Sequence, residues 1–439
     1  KYANIRRLGY KDGINRIGIG DYIQLLAIDN IYNEMNILSK ITYLDLWDIR
    51  NYCGEKVVLP VNQLLGGEPW FDEKGNFCIS ENIIPIFIGV SLRKGFFSYS
   101  EQNMEYLKRN EPIGCRDYYT FQQLREHHIK AYMAGCITMT LPKRKCGESK
   151  EQKVFLVDAP KGMKKHIFSQ INFESEIVHH TFEVEKKYFE DADYARNMTI
   201  EIFKRYWKES SLIVTSRLHC AAPCIAMGIP VIIAKQYCGY TFDWIQNFVP
   251  VYTEVDYSHI NWDIHSIEVE SYKELAKNVV KKRIKGENAT EAIEKLNDFY
   301  MKKYDENYKP GEMTIDHFVN EINNRYTGKD KFDYAIWGVS DVAEEIYKYL
   351  LRNFPNARLV KVIDSFSTKC FHNVTSEKPD VLQKEDSFVT IVATINCMDS
   401  GAKPLFKKLG KSEHQYIYAA DSFISVSYTH LTLPTSDLV

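Results

Sequence analysis

The 439-residue chain has ten cysteines but no pair at C-x-x-C spacing. Cys220 and Cys224 find no His or Cys partner at zinc-finger spacing. A reduced, cytoplasmic protein with core thiols is expected, and the N-x-[ST] triplets at Asn197, Asn288 and Asn373 then carry no glycan. No window approaches eighteen consecutive apolar residues, so no transmembrane helix is expected. No secretory signal opens the residues given. Neither charge sign is in excess, with 56 Lys and Arg against 58 Asp and Glu, and nothing calls for a nucleic-acid partner. The basic run Lys281–Gly286 reads as the wet face of a helix whose apolar side holds Leu275, Val279, Val280 and Ile284. No repeat at solenoid spacing is present. The stretch "SVSYTHLTLPTSDLV" (Ser425–Val439) resembles an in-frame translation of a sequencing adapter and is set aside from the fold.

What the chain does have is alternation. "KVVLPVNQLL" (Lys56–Leu65) and "IIPIFIGVSL" (Ile83–Leu92) contain buried-strand runs. "IGDYIQLLAIDNIY" (Ile19–Tyr32) and "YTFQQLREHHI" (Tyr119–Ile129) carry helical spacing, and "AYMAGCITMTL" (Ala131–Leu141) holds the next strand. Strands alternating with helices predict parallel βαβ units. After a polar linker at Pro142–Lys153 the pattern restarts with "VFLVDAP" (Val154–Pro160), "SEIVHHTF" (Ser175–Phe182) and a long helix over Ala192–Lys208. A strand, a small-residue helix and a second strand follow within Ser211–Ala234. A third unit opens with "FDYAIWGVSDVAEEIYKYLL" (Phe332–Leu351). It reads as strand, turn and helix with a degraded glycine fingerprint at Gly338, Ser340 and Ala343. Asp364 ends its second strand, where a ribose hydroxyl would sit. A structural Rossmann-like module is the expectation there. The domain reading is an N-terminal Rossmann-like domain over 1–145 and a second over 146–328. An incomplete Rossmann-like module over 329–424 and the adapter-like run 425–439 complete it.

Three strand-to-helix seams carry charges with no local reason to be there. "SRLH" (Ser216–His219) places Arg217 and His219 where a hydrophobic strand becomes a nearly charge-free helix. A cation at a helix N-terminus is locally unfavourable unless an anion joins it. A guanidinium suits a carboxylate or phosphate, and an imidazole there has its pKa lowered toward acid–base work. Ser216 reads as the helix N-cap, and Pro223 sits too deep for a first-turn proline, so a late start or a kink is expected. The alternative is a buried Arg217 tied to an interdomain carboxylate beside a satisfied core His219. "GCRD" (Gly114–Asp117) places Arg116 and Asp117 before an amphipathic helix, with Asp117 or Thr120 as its cap. "NRIGIGD" (Asn15–Asp21) brings Gly18 and Gly20 close to a ligand, with Asp21 either a simple N-cap or a catalyst. The aromatic run "YTFDWIQNFVPVY" (Tyr240–Tyr252) reads as interface packing, with sugar stacking as the alternative. The pairs His127/His128 and His179/His180 receive no role.

The stretches "IGIGDYIQLLAI" (Ile17–Ile28), "GCRDYYTFQQL" (Gly114–Leu124), "CITMTLP" (Cys136–Pro142) and "SRLHCAAPCIAMGIPVI" (Ser216–Ile232) together resemble the polysaccharide pyruvyl transferase family. The resemblance implies two Rossmann-like domains in a glycosyltransferase-B-like arrangement with the active site in the cleft. It implies phosphoenolpyruvate as donor and a sugar of a surface glycan or its lipid-linked precursor as acceptor. Arg217 and His219 then anchor the donor and exchange protons, with Arg116 and Ser216 also donor-binding. Asp21 and Asp117 join His219 as catalytic groups, and Gly20 and Asn15 fall on the acceptor side. The family's N-G-D opening is I-G-D here, which leaves Asn15 open. No metal and no cofactor is called for, and peripheral membrane association stays open. Two other functions compete: a nucleotide-sugar glycosyltransferase of the same architecture, and a non-catalytic sugar- or nucleotide-binding protein using Asp364.

Overall fold

The computed structural model describes residues 1–7, 16–145, 153–160, 163, 166, 174–185, 187–188, 191, 193–235, 238–302, 315–365, 368, 370–393 and 401–419. Asn15, part of the expected linker and the Ser425–Val439 run lie outside them. The chain divides into two compact units, Lys1–Gly311 and Glu312–Val439.

The first unit begins with β1 (Tyr2–Arg7), β2 (Arg16–Gly18), α1 (Ile19–Glu34), β3 (Ile41–Asp45), β4 (Val57–Val61), β5 (Leu64–Leu65) and β6 (Ile83–Leu92). Next come α2 (Glu101–Arg109), β7 (Ile113–Cys115), α3 (Tyr118–Glu126) and β8 (Ala131–Met133). The strands form one sheet in the order β3-β1-β4-β6-β7-β8, with β5 alongside β6, and each pairing is parallel. β6 is buried at every position but Ile84, the continuous apolar run that a strand covered on both faces requires.

A second sheet uses β9 (Lys153–Val157), β10 (Ser175–Val178), β12 (Ser210–Thr215), β13 (Val231–Ala234) and β14 (Val251–Tyr252). Between these strands lie β11 (Thr181–Glu183), α4 (Tyr194–Glu209) and α5 (Leu218–Ala226). The order is β10-β9-β12-β13-β14, again parallel throughout. Counted from β9 this is 2-1-3-4-5, so the winding reverses between β9 and β12. Sheets of this kind receive ligands beyond the carboxyl ends of the two strands that flank the reversal.

"SEIVHHTF" is two strands rather than one. β10 joins the second sheet, whereas β11 turns away to pair antiparallel with β2. The backbone N–H of Ile19 donates to the His180 carbonyl at 3.0 Å, which stitches the start of α1 to the second sheet. Arg196 on α4 forms an ion pair with Asp29 on α1. One hydrophobic core runs through both sheets, with Ile28 and Tyr32 of α1, Phe203 and Tyr206 of α4, and Ala221 and Cys224 of α5 among its members. The helices α6 (Glu270–Lys285) and α7 (Thr290–Met301) return to the first sheet, where Tyr272 Oη donates to the Ala134 carbonyl at 2.9 Å. The basic run sits at the end of α6, which stops at Gly286 with φ 70, the left-handed position glycine fills without strain.

The second unit holds α8 (Asp316–Arg325), β15 (Asp333–Trp337), α9 (Asp341–Asn353), β16 (Arg358–Ile363), the hairpin β17 (Cys370–Phe371) and β18 (Val374–Thr375), β19 (Val389–Val392), α10 (Lys403–Leu409) and β20 (Tyr416–Tyr418). Its sheet runs β16-β15-β19-β20 and is parallel, a Rossmann-like order. Ser340, the middle position of the degraded fingerprint, caps α9 by accepting from the Ala343 N–H at 3.3 Å. Asp364 follows β16 and is buried. No helix among the described residues is long and apolar enough to cross a membrane.

Candidate active site

Beyond the carboxyl ends of β9 and β12 lies a cavity of about 530 Å³ lined by Gly18, Gly20, Asp21, His180, Thr181, Ser216, Arg217, Leu218, His219, Lys235 and Phe242. Two of the three seams therefore meet at its wall, and the third stands directly behind it. Arg116 Nη1 lies 3.1 Å from His219 Nε2, although 103 residues separate them in the chain. Its Nε donates to Ser91 Oγ at 2.8 Å and Nη1 also donates to Gln24 Oε1 at 3.1 Å. Gln24 Oε1 in turn accepts from Asn62 at 2.7 Å, so the guanidinium is held by neutral groups. Arg116 is 3% exposed and has no ion-pair partner among the described residues. A buried, unpaired cation costs several kcal/mol, and an arriving anion removes that cost.

Local sequence explains how His219 comes to face the cavity. Pro223 has no N–H to give the carbonyl four residues back, and its ring crowds that carbonyl. The carbonyl belongs to His219, and α5 breaks at His219, where φ is −82 and ψ 15. The expected kink is thus present and falls on the candidate catalytic residue. A Cβ at Gly20 would stand 3.1 Å from the His219 Cβ, so Gly20 makes room for the imidazole. Because Arg116 can only donate, the His219 Nε2 it meets is an acceptor, which places the proton of the neutral ring on Nδ1. Replacing Pro223 by Ala restores the missing donor and straightens the turn. The expected variant melts no lower than the wild type but turns over more slowly; unchanged turnover would detach the kink from the chemistry.

Burial, then the charges of Arg116 and His180, push the His219 pKa well below its ordinary 6.5, so the free protein carries a neutral imidazole. The surrounding protein displaces water from the Asp21 carboxyl and raises it above its usual value against the pull of Arg116 and Arg217, although the residue remains exposed. Asp21 is not the N-cap of α1: Gly18 holds that position without a side-chain bond, and Asp21 opens onto the cavity from the first turn. Arg217 is not walled in either. Its side chain is 48% exposed and pairs with Asp158 at 2.8 Å.

Ser216 departs from its expected cap role. Arg217 occupies the cap position of α5 with no side-chain bond, because Thr215 Oγ1 accepts the Arg217 N–H at 3.0 Å. The Ser216 hydroxyl donates instead to the Asp158 carbonyl at 2.7 Å. Asp117 caps α3, accepting from the Thr120 N–H at 2.8 Å. It is fully buried and absent from the cavity wall. The aromatic run divides: Trp244 is fully buried, whereas Phe242 lines the cavity.

Sequence reasoning missed three members of the site. Lys235 leaves β13 with Nζ 4.0 Å from the Phe242 ring centre and 3.3 Å from the Ser216 carbonyl. Burial, reinforced by Arg217, brings its pKa down to about 8, against an opposing pull from Cys238. His180 is buried in the wall, with Nε2 2.9 Å from Tyr206 Oη. Gln24 orients Arg116. A basic residue after a strand, one half of a histidine pair and a glutamine in a helix carry no signal by themselves. Among the described residues no group of three His, Cys, Asp or Glu side chains is arranged to hold a metal ion.

Residues 19–234 match the family model of polysaccharide pyruvyl transferase, a span that contains every cavity residue except Gly18, Lys235 and Phe242. No curated protein matches the chain. Among solved structures, a functionally uncharacterized protein from Klebsiella pneumoniae is similar at 14% identity, covering 53% of this chain and 82% of that one with a TM-score of 0.33.

Proposed function

With residues 19–234 matching the polysaccharide pyruvyl transferase family as the premise, we propose that the chain transfers the enolpyruvyl group of phosphoenolpyruvate to two hydroxyls of a glycan sugar, forming a ketal and releasing phosphate. The observation that carries this reading is Arg116, a buried cation with no described ion pair, poised behind Arg217 and Lys235 at a winding reversal. Phosphoenolpyruvate presents a carboxylate and a phosphate on three carbons, and three cations around one cavity suit it. Two parallel, Rossmann-like sheets flank this site; the glycosyltransferase-B-like arrangement that the resemblance implies is part of the proposal.

In the proposed cycle the donor draws Arg116 toward its own charge and frees His219 Nε2. The added negative charge raises the His219 pKa, so the imidazolium becomes accessible. A sugar hydroxyl adds to C2 while His219 gives its proton to C3, and the hydroxyl proton passes to Asp21. The second hydroxyl then bonds to C2 as the C2–O bond to phosphate breaks and the electron pair leaves with phosphate. His219 takes the second hydroxyl proton and Asp21 returns the first to phosphate, which restores both groups. Arg217 and Lys235 hold the anion throughout, the preorganised electrostatic role that often contributes most to such reactions.

A donor screen by thermal shift tests the reading first. A true ligand at 100 times its dissociation constant adds about 2.7 kcal/mol of stability. Phosphoenolpyruvate is expected to raise the melting temperature; a UDP-sugar that does so instead indicates a glycosyltransferase, and a dinucleotide alone indicates a binding module. Lys235 adds a pH test. Its ammonium is present below a pKa of about 8 and is lost above it, so phosphoenolpyruvate affinity is expected to fall as pH rises through that value. In Lys235→Met that slope should disappear, and a slope unchanged in the variant assigns the titration elsewhere.

A further inference from the structure

Arg217 is held by a residue that the proposed cycle does not use. β9 ends at Val157, and the next residue, Asp158, has φ 45, a left-handed conformation that residues with side chains seldom adopt. The turn sends its carboxylate across the sheet end toward the seam after β12. Oδ2 accepts from Arg217 Nε at 2.8 Å and from the His180 backbone N–H at 3.1 Å. Oδ1 meets His179 Nδ1 at 2.8 Å, and the Asp158 carbonyl accepts from the Ser216 hydroxyl. One residue thereby joins β9, the turn between β10 and β11, and the Ser216–Arg217 segment that leads into α5 and His219. Burial alone would raise this carboxyl, but the His179 hydrogen bond and the Arg217 charge bring it below its ordinary value. Among the described residues the terminal amino groups of Arg217 have no hydrogen-bond partner.

We propose that Asp158 is a positioning residue: by claiming the Nε–H of Arg217 it presets the guanidinium, leaving the two terminal amino groups as a fork for the donor's anionic group. A free arginine side chain samples many rotamers and pays for ordering when it binds. An arginine already tied at Nε pays less, and its planar fork meets a carboxylate or phosphate with two parallel bonds. Strained backbone held by surrounding bonds is a recurrent mark of such positioning. The donor half of this inference rests on the function proposed above; the clamp on Arg217 does not.

Two measurements on the full chain separate these halves. With 15N-arginine labelling, the Arg217 Nε–H signal is assigned by its loss in Arg217→Lys. Its exchange with solvent is expected to be about tenfold faster in Asp158→Asn than in the wild type, because the charged acceptor is gone. Equal exchange overturns the clamp whatever ligand the cavity takes. Calorimetry with phosphoenolpyruvate then compares the wild type, Asp158→Asn, Arg217→Ala and the double variant. Asp158→Asn is expected to weaken binding about tenfold but to add no loss to Arg217→Ala, as residues acting through one group do not add. Losses that multiply overturn the inference. If Asp158→Asn fails to fold, Asp158→Gly removes the carboxylate while fitting the positive φ. A wild type that takes up no phosphoenolpyruvate removes the donor reading, and the exchange result alone then decides the role of Asp158.

Discussion

Arg116→Met is expected to abolish phosphoenolpyruvate binding while leaving stability within about 1 kcal/mol of the wild type, in contrast to the 2–5 kcal/mol usual for truncating a large buried side chain. The reason lies in what surrounds the guanidinium. Its hydrogen-bond partners are Ser91, Gln24 and His219, all neutral in the free protein, so the attraction of the nearby Asp21 and Asp117 carboxyls offsets only part of the desolvation. Met keeps the volume and removes the desolvation cost. Gln24 Oε1 keeps its bond from Asn62, and Ser91 loses one donor, which offsets part of the gain. Donor binding should fall below calorimetric detection, a loss larger than the roughly 2 kcal/mol at the lower end for truncating one partner of a buried charge pair. Urea unfolding gives the first quantity and calorimetry the second. A variant that unfolds easily yet binds normally would make Arg116 a structural residue.

The second large effect concerns His219→Ala, which is expected to lower kcat by about 10²–10⁴ while donor affinity changes only a few-fold. Arg116 retains Gln24 and Ser91 in that variant, so the cation stays in place. Full phosphate release without the imidazole would remove His219 from the mechanism. The wild-type pH profile carries a related signature. In the proposed cycle His219 acts at C3 in its protonated form, and its pKa is depressed in the free protein. Activity therefore falls as pH rises, and the limb in kcat/KM, which reports the free protein, should lie at lower pH than the limb in kcat. In the proposed complex the negative charge of the donor beside His219 separates the two.

The polysaccharide pyruvyl transferase match begins at the first residue of α1 and ends at the last residue of β13, so it takes in the Ser216–His219 seam whole and Gly20 and Asp21 of the first. Much of that stretch was legible. Runs such as Ile83–Leu92 are apolar at every position but Ser91 because both faces of the sheet are covered, and the alternation around them implies parallel winding. The charges at Arg116, Arg217 and His219 stood out because nothing beside them in sequence explains them, and two of the three now meet within 3.1 Å. Other features depend on geometry that spacing does not encode. Ser216 looked like a cap, but the break imposed by Pro223 and the hydroxyl of Thr215 shift the first turn of α5 by one residue. Asp158 sits in "VDAP", an ordinary strand exit until its positive φ turns it toward Arg217. His180 seemed one of an idle pair because the departure of β11 toward β2 was not visible in "SEIVHHTF".

The central claim is that Arg116, Arg217 and Lys235 together receive a small molecule bearing a carboxylate and a phosphate. Titrating phosphoenolpyruvate into the wild type and Arg116→Met by calorimetry at pH 7 tests it most directly. The account predicts saturable one-to-one binding in the wild type and none in the variant; equal heats in both, or no binding by either, would contradict it.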